Sequence, residues 1–170
     1  MTKNRLILEL PDHLTAFCDA NILIYAFVGT GKLKIVCTDF LARCAEQKIT
    51  LYTSPIQVSN TIHRAMVNEA VMELGIEQRR AASYLKQHPD VVKSLRSYKN
   101  IPRQLSQARI QMLDVTYREI HASKQFRDTY GLMAGDSIIV ALMQRHRIRD
   151  LASNDEDFKR IPQIRLWTPD

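Results

Sequence analysis

The sequence predicts an α/β fold in which helices cover both faces of a parallel sheet, and three observations support this fold class. The chain has 170 residues, which suits one domain with its own hydrophobic core. Short apolar runs of strand length alternate with longer segments in which apolar residues recur at helical spacing. No internal repeat interrupts this alternation. Strands that alternate with helices favour a parallel sheet with both faces covered.

The first half of the chain contains two predicted strands, each followed by helix. An apolar run over residues 15–18 stops at Asp19 and passes directly into an apolar helix. Glycines within residues 29–31 end that helix, and a second helical pattern follows. A strand over residues 49–53 then leads to a Ser-Pro pair at 54–55, which is typical of a helix N-cap followed by the first helical residue.

The middle of the chain, about residues 76–127, is helical in pattern and strongly basic. Breaks are predicted near residues 88–89 and 100–102, where prolines occur. The segment holds 11 Lys or Arg and 4 Asp or Glu, an excess of seven positive charges against +6 for the whole chain. The basic character of the protein therefore lies in this segment, and it favours a polyanionic partner.

The last third of the chain returns to alternating helices and strands. A helix beginning near residue 136 is apolar on nearly all sides, which predicts that it is deeply buried. A short strand over residues 150–152, an acidic turn over residues 153–158 and a final strand over residues 164–167 follow. The single predicted domain therefore extends over residues 1–170.

The composition indicates a cytoplasmic protein. The three cysteines lie among apolar residues without the spacing of a zinc site, which favours a reducing compartment. The N-terminal sequence contains Glu9, Pro11 and Asp12 before any long apolar run develops. Neither a signal peptide nor a membrane anchor is therefore expected.

Four aspartates are expected to meet at one edge of the predicted sheet. Asp19 and Asp155 each follow a strand, Asp136 begins the buried helix, and Asp157 lies two residues beyond Asp155. In parallel sheets, ligands bind outside the carboxyl ends of the strands. Clustered carboxylates repel one another unless a cation is present, and their hard oxygens suit Mg²⁺ or Mn²⁺.

Three of these aspartates also have a purely structural interpretation. Asp136 would serve as a helix N-cap, and Asp155 and Asp157 would form a solvated acidic turn. Asp19 is harder to explain in this way, because a carboxylate between an apolar strand and an apolar helix is costly to bury without a partner.

Three motifs occur in an order and at a spacing that one known family shares. They are FCDANILIY at residues 17–25, YGLMAGDSIIVA at residues 130–141 and LASNDEDF at residues 151–158. They resemble the opening D-x-N strand, the third acidic motif and the closing (T/S)-x-D-x-D-F motif of PIN-domain ribonucleases, which include the toxins of VapBC toxin–antitoxin pairs. The resemblance covers about residues 15–75 and 129–169, whereas the basic middle matches only as helices.

The resemblance implies a three-layer α/β/α sandwich with a central parallel sheet, and a helical, basic middle segment within a single PIN-like domain. It also implies a metal-dependent endoribonuclease that hydrolyses RNA phosphodiester bonds with Mg²⁺ or Mn²⁺. Implied partners are RNA, an antitoxin protein and a second copy of the chain in a homodimer. Carried over by position, Asp19, Asp136 and Asp155 would be catalytic and metal-binding, Asp157 would be an additional metal-binding acid, and Asn21 and Ser153 would orient them by hydrogen bonding.

One position departs from the family pattern. The family has a glutamate six residues after the position of Ser54, and this chain has Asn60 there. Glu69 and Glu73 lie on roughly the opposite face of the predicted helix, so neither replaces that acid. The site thus loses one negative charge. A catalytically weak or inactive PIN-like module that binds RNA or a protein partner is the alternative function.

Basic residues of the middle segment are expected to contact RNA phosphates beside the acidic cleft. For Arg145, Arg147 and Arg149, which recur at every second residue around a helix end, a solvated face and an RNA contact both stay open. A receiver or phosphotransfer domain would also gather aspartates at strand ends, but no lysine ends a late strand here. The candidate RNA-binding residues of the middle segment are Arg79, Arg80, Arg103, Arg109 and Lys124.

Overall fold

A central parallel sheet organises residues 5–170, the part of the chain that the computed structural model describes. Residues 1–4, which begin the N-terminal sequence considered above for a signal peptide, lie outside the described residues. The strands within this range are β1 (Arg5–Leu6), β2 (Thr15–Cys18), β3 (Thr50–Thr53), β4 (Gln111–Met112), β5 (Asp150–Ala152) and β6 (Arg165–Thr168). Their order across the sheet is β1-β6-β5-β2-β3-β4, and every neighbouring pair is parallel.

Helices connect these strands. They are α1 (Ala20–Val28), α2 (Gly31–Ala45), α3 (Pro55–Leu74), α4 (Gln78–Gln87), α5 (Pro89–Ser94), α6 (Ile101–Gln107), α7 (Tyr117–Ala122), α8 (Lys124–Tyr130) and α9 (Ala134–Arg145). Short 3-10 helices lie at Ile7–Glu9, Ser97–Asn100 and Glu156–Arg160.

The two faces of the sheet bury separate hydrophobic clusters. Successive side chains of a strand point to opposite faces. Ala16 and Cys18 of β2 accordingly pack in one cluster with residues of α1, α2 and α6. Phe17, between them, packs in the other cluster with residues of α8 and α9. The predicted three-layer α/β/α sandwich is therefore confirmed.

The pairing of β2 with β5 decides where the candidate site forms. Cys18 at the end of β2 lies opposite Ala152 at the end of β5, and the backbone N–H of Asp19 donates to the carbonyl of Ala152 at 3.0 Å. The residues that follow each strand, Asp19 and Ser153, therefore begin side by side at the carboxyl edge of the sheet.

The middle segment is less uniformly helical than its sequence pattern predicts. The predicted breaks coincide with the starts of α5 and α6, but strand β4 lies inside the segment and was not predicted. A two-residue strand at the edge of a sheet is too short to show an alternating pattern, and both Gln111 and Met112 are exposed. A small cluster formed by Val67, Ala70, Ala81, Leu85 and Leu95 packs α4 and the residue after α5 against α3.

Within residues 5–170, no individual helix is long and apolar enough to cross a membrane. Together α1 and α2 have that length and composition, but the pair is bent by 109° and its apolar residues line the hydrophobic core.

Candidate active site

Asp19 lies at the centre of the candidate site, buried at the junction of β2 and α1. It caps α1, because its Oδ1 accepts a hydrogen bond of 2.6 Å from the backbone N–H of Ala20. Its Oδ2 accepts two more, from the side-chain amide of Asn21 at 2.7 Å and from the hydroxyl of Ser153 at 2.7 Å. Burial raises the pKa of Asp19, while the bonds from Ser153, Ala20 and Asn21 act in the opposite direction.

Asn21 and Ser153 also connect the two loops that form the site. The amide of Asn21 donates to the Ser153 hydroxyl oxygen at 2.9 Å, and its Oδ1 accepts from the backbone N–H of Asn154 at 3.0 Å. The same serine oxygen accepts from the backbone N–H of Asp155 at 3.1 Å. Both residues therefore take positions that would orient the carboxylates, as their place in the sequence motifs predicts.

Asp155 and Asp157 combine a structural role with a place near the site. The Oδ1 of Asp155 accepts from the backbone N–H of Asp157 at 2.9 Å and so caps the following 3-10 helix. The carboxylate of Asp157 forms an ion pair of 2.7 Å with Arg160. The capping turn inferred from sequence is therefore present, and both carboxylates are half-buried rather than fully solvated.

Asp136 lies in the first turn of α9, where the helix dipole favours a negative charge. The structural interpretation of this residue as an N-cap is wrong, because the helix begins two residues earlier and Met133 occupies the cap position. Burial and the negative charges of Asp155, Asp19 and Asp157 raise the pKa of Asp136 to about 6. Burial is the larger of these two causes, and the three neighbouring acids add to it.

The donor atoms of this cluster have the chemistry of a site for a hard cation. Carboxylate oxygens are the preferred ligands of Mg²⁺ and Mn²⁺. Among the described residues, the charged groups that act on the pKa of Asp136 are the three other aspartates, and Arg160 pairs with Asp157. Among residues 5–170, no three His, Cys, Asp or Glu side chains are already gathered closely enough to hold an ion. Side-chain rotation would therefore have to complete a coordination sphere.

Asn60 is exposed on α3 and is not hydrogen-bonded to the acidic cluster, whereas Gln57, one turn earlier, is buried beside it. The Oε1 of Gln57 accepts from the backbone N–H of Ala20 at 3.3 Å, the group that also donates to Asp19. Sequence reasoning missed this residue. Ser54 and Gln57 have the spacing of a capping box, which predicts a local bond back to the N-cap rather than a link to another helix.

Arg127 is a second residue that sequence reasoning did not select. It is half-buried, and its guanidinium donates to the hydroxyl oxygens of Ser123 at 2.6 Å and Ser137 at 3.0 Å. Because Ser137 follows Asp136 in α9, these bonds fix α8 against the helix turn that carries Asp136. In the sequence, Arg127 is only one of the 11 basic residues of the middle segment, and no motif distinguishes it.

The five candidate RNA-binding residues are all exposed, and the strand register places one of them, Arg109, away from the acidic cluster. Arg79 and Lys124 are already paired, with Glu77 at 2.8 Å and with Asp128. Arg109 precedes β4, and in a parallel sheet that position lies at the amino edge, opposite the aspartates. The expectation that Arg109 lies beside the acidic cleft is therefore corrected. Arg80 lies on α4 and Arg103 on α6.

Comparison with known proteins identifies similar sequences over most of the chain. The sequence pattern of the PIN domain matches residues 16–164. Ribonuclease VapC2 of Methanocaldococcus jannaschii is 26% identical over 153 residues, which are 88% of this chain and 91% of that protein. Ribonuclease VapC6 of the same organism is 24% identical over 158 residues, which are 88% of this chain and 94% of that protein.

Two solved structures share the fold at low sequence identity. A toxin–antitoxin complex from Klebsiella pneumoniae contains a chain with a TM-score of 0.55 and 20% identity, matched over 91% of this chain and 98% of that one. VapBC2 from Rickettsia felis, bound to a DNA fragment from its promoter, gives a TM-score of 0.56 and 17% identity over the same shares. Because the PIN-domain pattern matches this sequence from residue 16 to residue 164, the protein belongs to the PIN-domain family.

Proposed function

We propose that the protein is a metal-dependent endoribonuclease of the VapC toxin type, which hydrolyses RNA phosphodiester bonds in the cytoplasm. The observation that carries this proposal is the group of aspartates at the carboxyl edge of the sheet, where burial and the neighbouring acids raise the pKa of Asp136 to about 6. The ribonuclease names of the two Methanocaldococcus relatives support the same activity.

Asp19, Asp136 and Asp155 would hold Mg²⁺ or Mn²⁺, with Asp157 as an additional acid. When bound, such an ion activates a water molecule and neutralises charge that develops on the phosphate. The other residues of the site orient these carboxylates. Three hydrogen bonds fix both oxygens of the Asp19 carboxylate, and the bonds from Arg127 hold the first turn of α9 in place.

Asn21 and Ser153 would have a second effect on Asp19. A buried carboxylate tends to take up a proton, and a protonated acid is a poor metal ligand. Hydrogen bonds donated to the charged form oppose that tendency. The two side chains therefore keep Asp19 available for an ion as well as oriented towards it.

Asn60 favours a second candidate function, a catalytically weak or inactive PIN-like module that binds RNA or a protein partner. The exposed amide of Asn60 supplies no negative charge at the position where the family has an acid. An ion would then be held by fewer charged ligands, which lowers its affinity.

Cleavage of RNA with and without Mn²⁺ tests the proposal. We expect the parent protein to cut RNA only when the ion is present, and Asp19→Asn to lower the rate by at least about a hundredfold because it removes a central ligand while keeping its shape. Asp39→Asn is the matched control, since Asp39 is exposed on α2 outside the site. RNA binding without cleavage by the parent would instead support the non-cutting module.

The partners that we propose are inferred from the comparisons with known proteins. The matched structures from Klebsiella and Rickettsia come from toxin–antitoxin assemblies, so we expect an antitoxin encoded beside this protein. The family resemblance also implies a homodimer of the chain. Co-expression with the neighbouring gene product, followed by mass measurement of the purified complex, tests both expectations. A protein that stays monomeric and recovers no partner would contradict them.

A further inference from the structure

The amino edge of the sheet, opposite the aspartates, carries an unusual backbone feature. Within residues 5–170, the non-glycine residues with a left-handed backbone are His13, Gln47, Arg109 and Arg147, with φ of 68°, 60°, 56° and 57°. They precede β2, β3, β4 and β5 respectively, so all of them lie where a chain segment enters the sheet. The adjacent strands β5, β2, β3 and β4 therefore share one rim of strained residues.

Two of these strained positions hold arginine where folding alone favours glycine. After α9, the N–H of Ile148 donates to the carbonyl of Met143 at 2.9 Å, and the N–H of Arg147 donates to that of Gln144 at 3.2 Å. This is the Schellman ending, in which glycine is the usual left-handed residue. The same pair of bonds surrounds Arg109 after α6. A Cβ in a left-handed conformation costs roughly 1 kcal/mol relative to glycine, and a positive charge just after a helix C-terminus offsets part of that cost. Glycine would fit both positions without this strain.

The rim has positive charges without partners. Arg109, Arg147 and Arg149 are exposed, and none of them forms an ion pair within residues 5–170. The acids placed at this edge are already paired, so they leave the three arginines uncompensated. These pairs are Asp12 with Arg43, Glu46 with Lys48 and Asp150 with Arg165.

A pocket opens beside these arginines. Its volume is about 280 Å³, and the residues that line it include Tyr52, His146 and Arg147. Aromatic rings and guanidinium groups are the surfaces on which proteins stack unpaired nucleobases. Thr15, Leu113 and Ile148 complete the walls.

We propose that this amino edge is a second RNA-binding surface, in which an unpaired base enters the pocket while Arg109, Arg147 and Arg149 contact phosphates. The inference deepens the proposed function, on which it rests for the choice of RNA. The strands that follow Arg109 and Arg147 are three positions apart in the sheet, roughly 14 Å, so these two arginines reach different phosphates. An RNA that also reaches the aspartates must pass around the sheet, which favours a folded RNA with an unpaired loop.

The double variant Arg109→Gly with Arg147→Gly tests this surface without weakening the fold, because glycine relieves the left-handed strain at both positions. We expect an unchanged or higher melting temperature and about tenfold weaker binding of a labelled hairpin RNA at low salt. The slope of log K against log salt should fall by about 0.7 per lost phosphate contact, or roughly 1.4 in total. Binding is measured in EDTA and in the Asp19→Asn background, so the acidic cluster does not contribute.

The matched control is Lys34→Ala with Lys86→Ala, which removes two exposed charges on α2 and α4. We expect this control to bind RNA as the parent does. The proposal would be overturned if the double-glycine variant bound RNA with the affinity and salt slope of the parent, which is also the result expected if the rim binds a protein partner. An equal loss of RNA affinity in the lysine control would overturn it as well. Cleavage of RNA with Mn²⁺ is measured separately, so a failure of the proposed nuclease activity stays distinguishable from a failure of this surface.

Discussion

Asp19 shows how a buried carboxylate is stabilised here without a neighbouring cation. Burial makes its charged form costly, and three donors from Ala20, Asn21 and Ser153 oppose that cost. Asp136 has no hydrogen bond to its carboxylate among the described residues, so its pKa responds mainly to burial and to the other acids. The same site therefore contains one acid that is held in place and one that is free to turn towards a ligand.

Replacing Asn60 with Glu tests the departure from the family pattern. If position 60 of α3 faces the acidic cluster as the family pattern implies, the new carboxylate adds a full negative charge there, and Mn²⁺ should bind about tenfold more tightly. Cleavage of RNA should then rise or appear. Isothermal titration with Mn²⁺ measures the first effect, and Asn60→Gln, which adds length without charge, is the control. Equal Mn²⁺ affinity in all three proteins would contradict a metal site that reaches α3.

The sequence identifies functional residues that lie within its motifs, but not those that act on the site from a distant part of the chain. Asn21 and Ser153 were found because each lies within two residues of a candidate acid. Gln57 and Arg127 act on α1 and α9 through bonds that only the packing of helices creates. No pattern local to either residue distinguishes it from a helix cap or a surface charge.

Among the elements, α7 and α9 are joined by a buried carboxylate. Glu119 accepts from the backbone N–H and hydroxyl of Thr116 at 2.8 and 2.7 Å, which completes a capping box, and from Arg145 at 2.9 Å. Burial alone would raise the pKa of Glu119, but these hydrogen bonds outweigh it and lower the pKa to about 2. The packing of α7 on the helix that carries Asp136 therefore depends on a charged group.

Glu119→Gln should destabilise the protein by about 1–3 kcal/mol at neutral pH, because three donors lose a charged acceptor. A lowered pKa contributes stability that is fully present above the unfolded value of 4.5 and is lost as pH falls towards about 2. The difference between parent and variant should therefore shrink over that range. Urea unfolding at several pH values measures it. Glu77→Gln, in an exposed pair with Arg79, should change stability by less than about 0.5 kcal/mol, and an equal effect there would contradict this role.

The predicted and observed elements differ where a strand is too short to show a periodic pattern. The buried strands β2, β3 and β5 were found within one residue of their bounds, because parallel strands covered on both faces form continuous apolar runs. The edge strands β1 and β4 have two exposed residues each and carry no such signal. The route of the middle segment, and with it the edge at which Arg109 lies, could not be predicted without β4.

Across the whole molecule, charge is divided between the two edges of the sheet. The aspartates lie where β2 and β5 end, and the unpaired arginines lie where β4 and β5 begin, about 13 Å away along a strand of four residues. The net charge of +6 is therefore not a uniform property of the surface. Divalent cations would be attracted to the aspartates and the phosphates of the proposed second RNA surface to the arginines, which allows the two effects to be measured independently.

Addition of Mn²⁺ should raise the melting temperature of the whole protein, because the acids are gathered only in the folded state. At an ion concentration about 100 times its dissociation constant the gain is about 2.7 kcal/mol, or roughly 5–10 °C for a chain of this size. The raised pKa of Asp136 gives the pH dependence. Its protonated form stabilises the ion-free fold below about pH 4, and that contribution is lost as pH rises through about 6.

Because protons and the ion compete for the same carboxylate, the shift with Mn²⁺ should be small at about pH 5 and large at about pH 8. Differential scanning fluorimetry at both pH values, with and without the ion, measures it. Asp19→Asn should remove most of the shift, whereas Asp39→Asn should retain it, since Asp39 lies outside the cluster on α2. A shift that is equal at both pH values, or equal in Asp19→Asn, would mean that Mn²⁺ binds elsewhere on the protein, and the aspartates would then need another explanation.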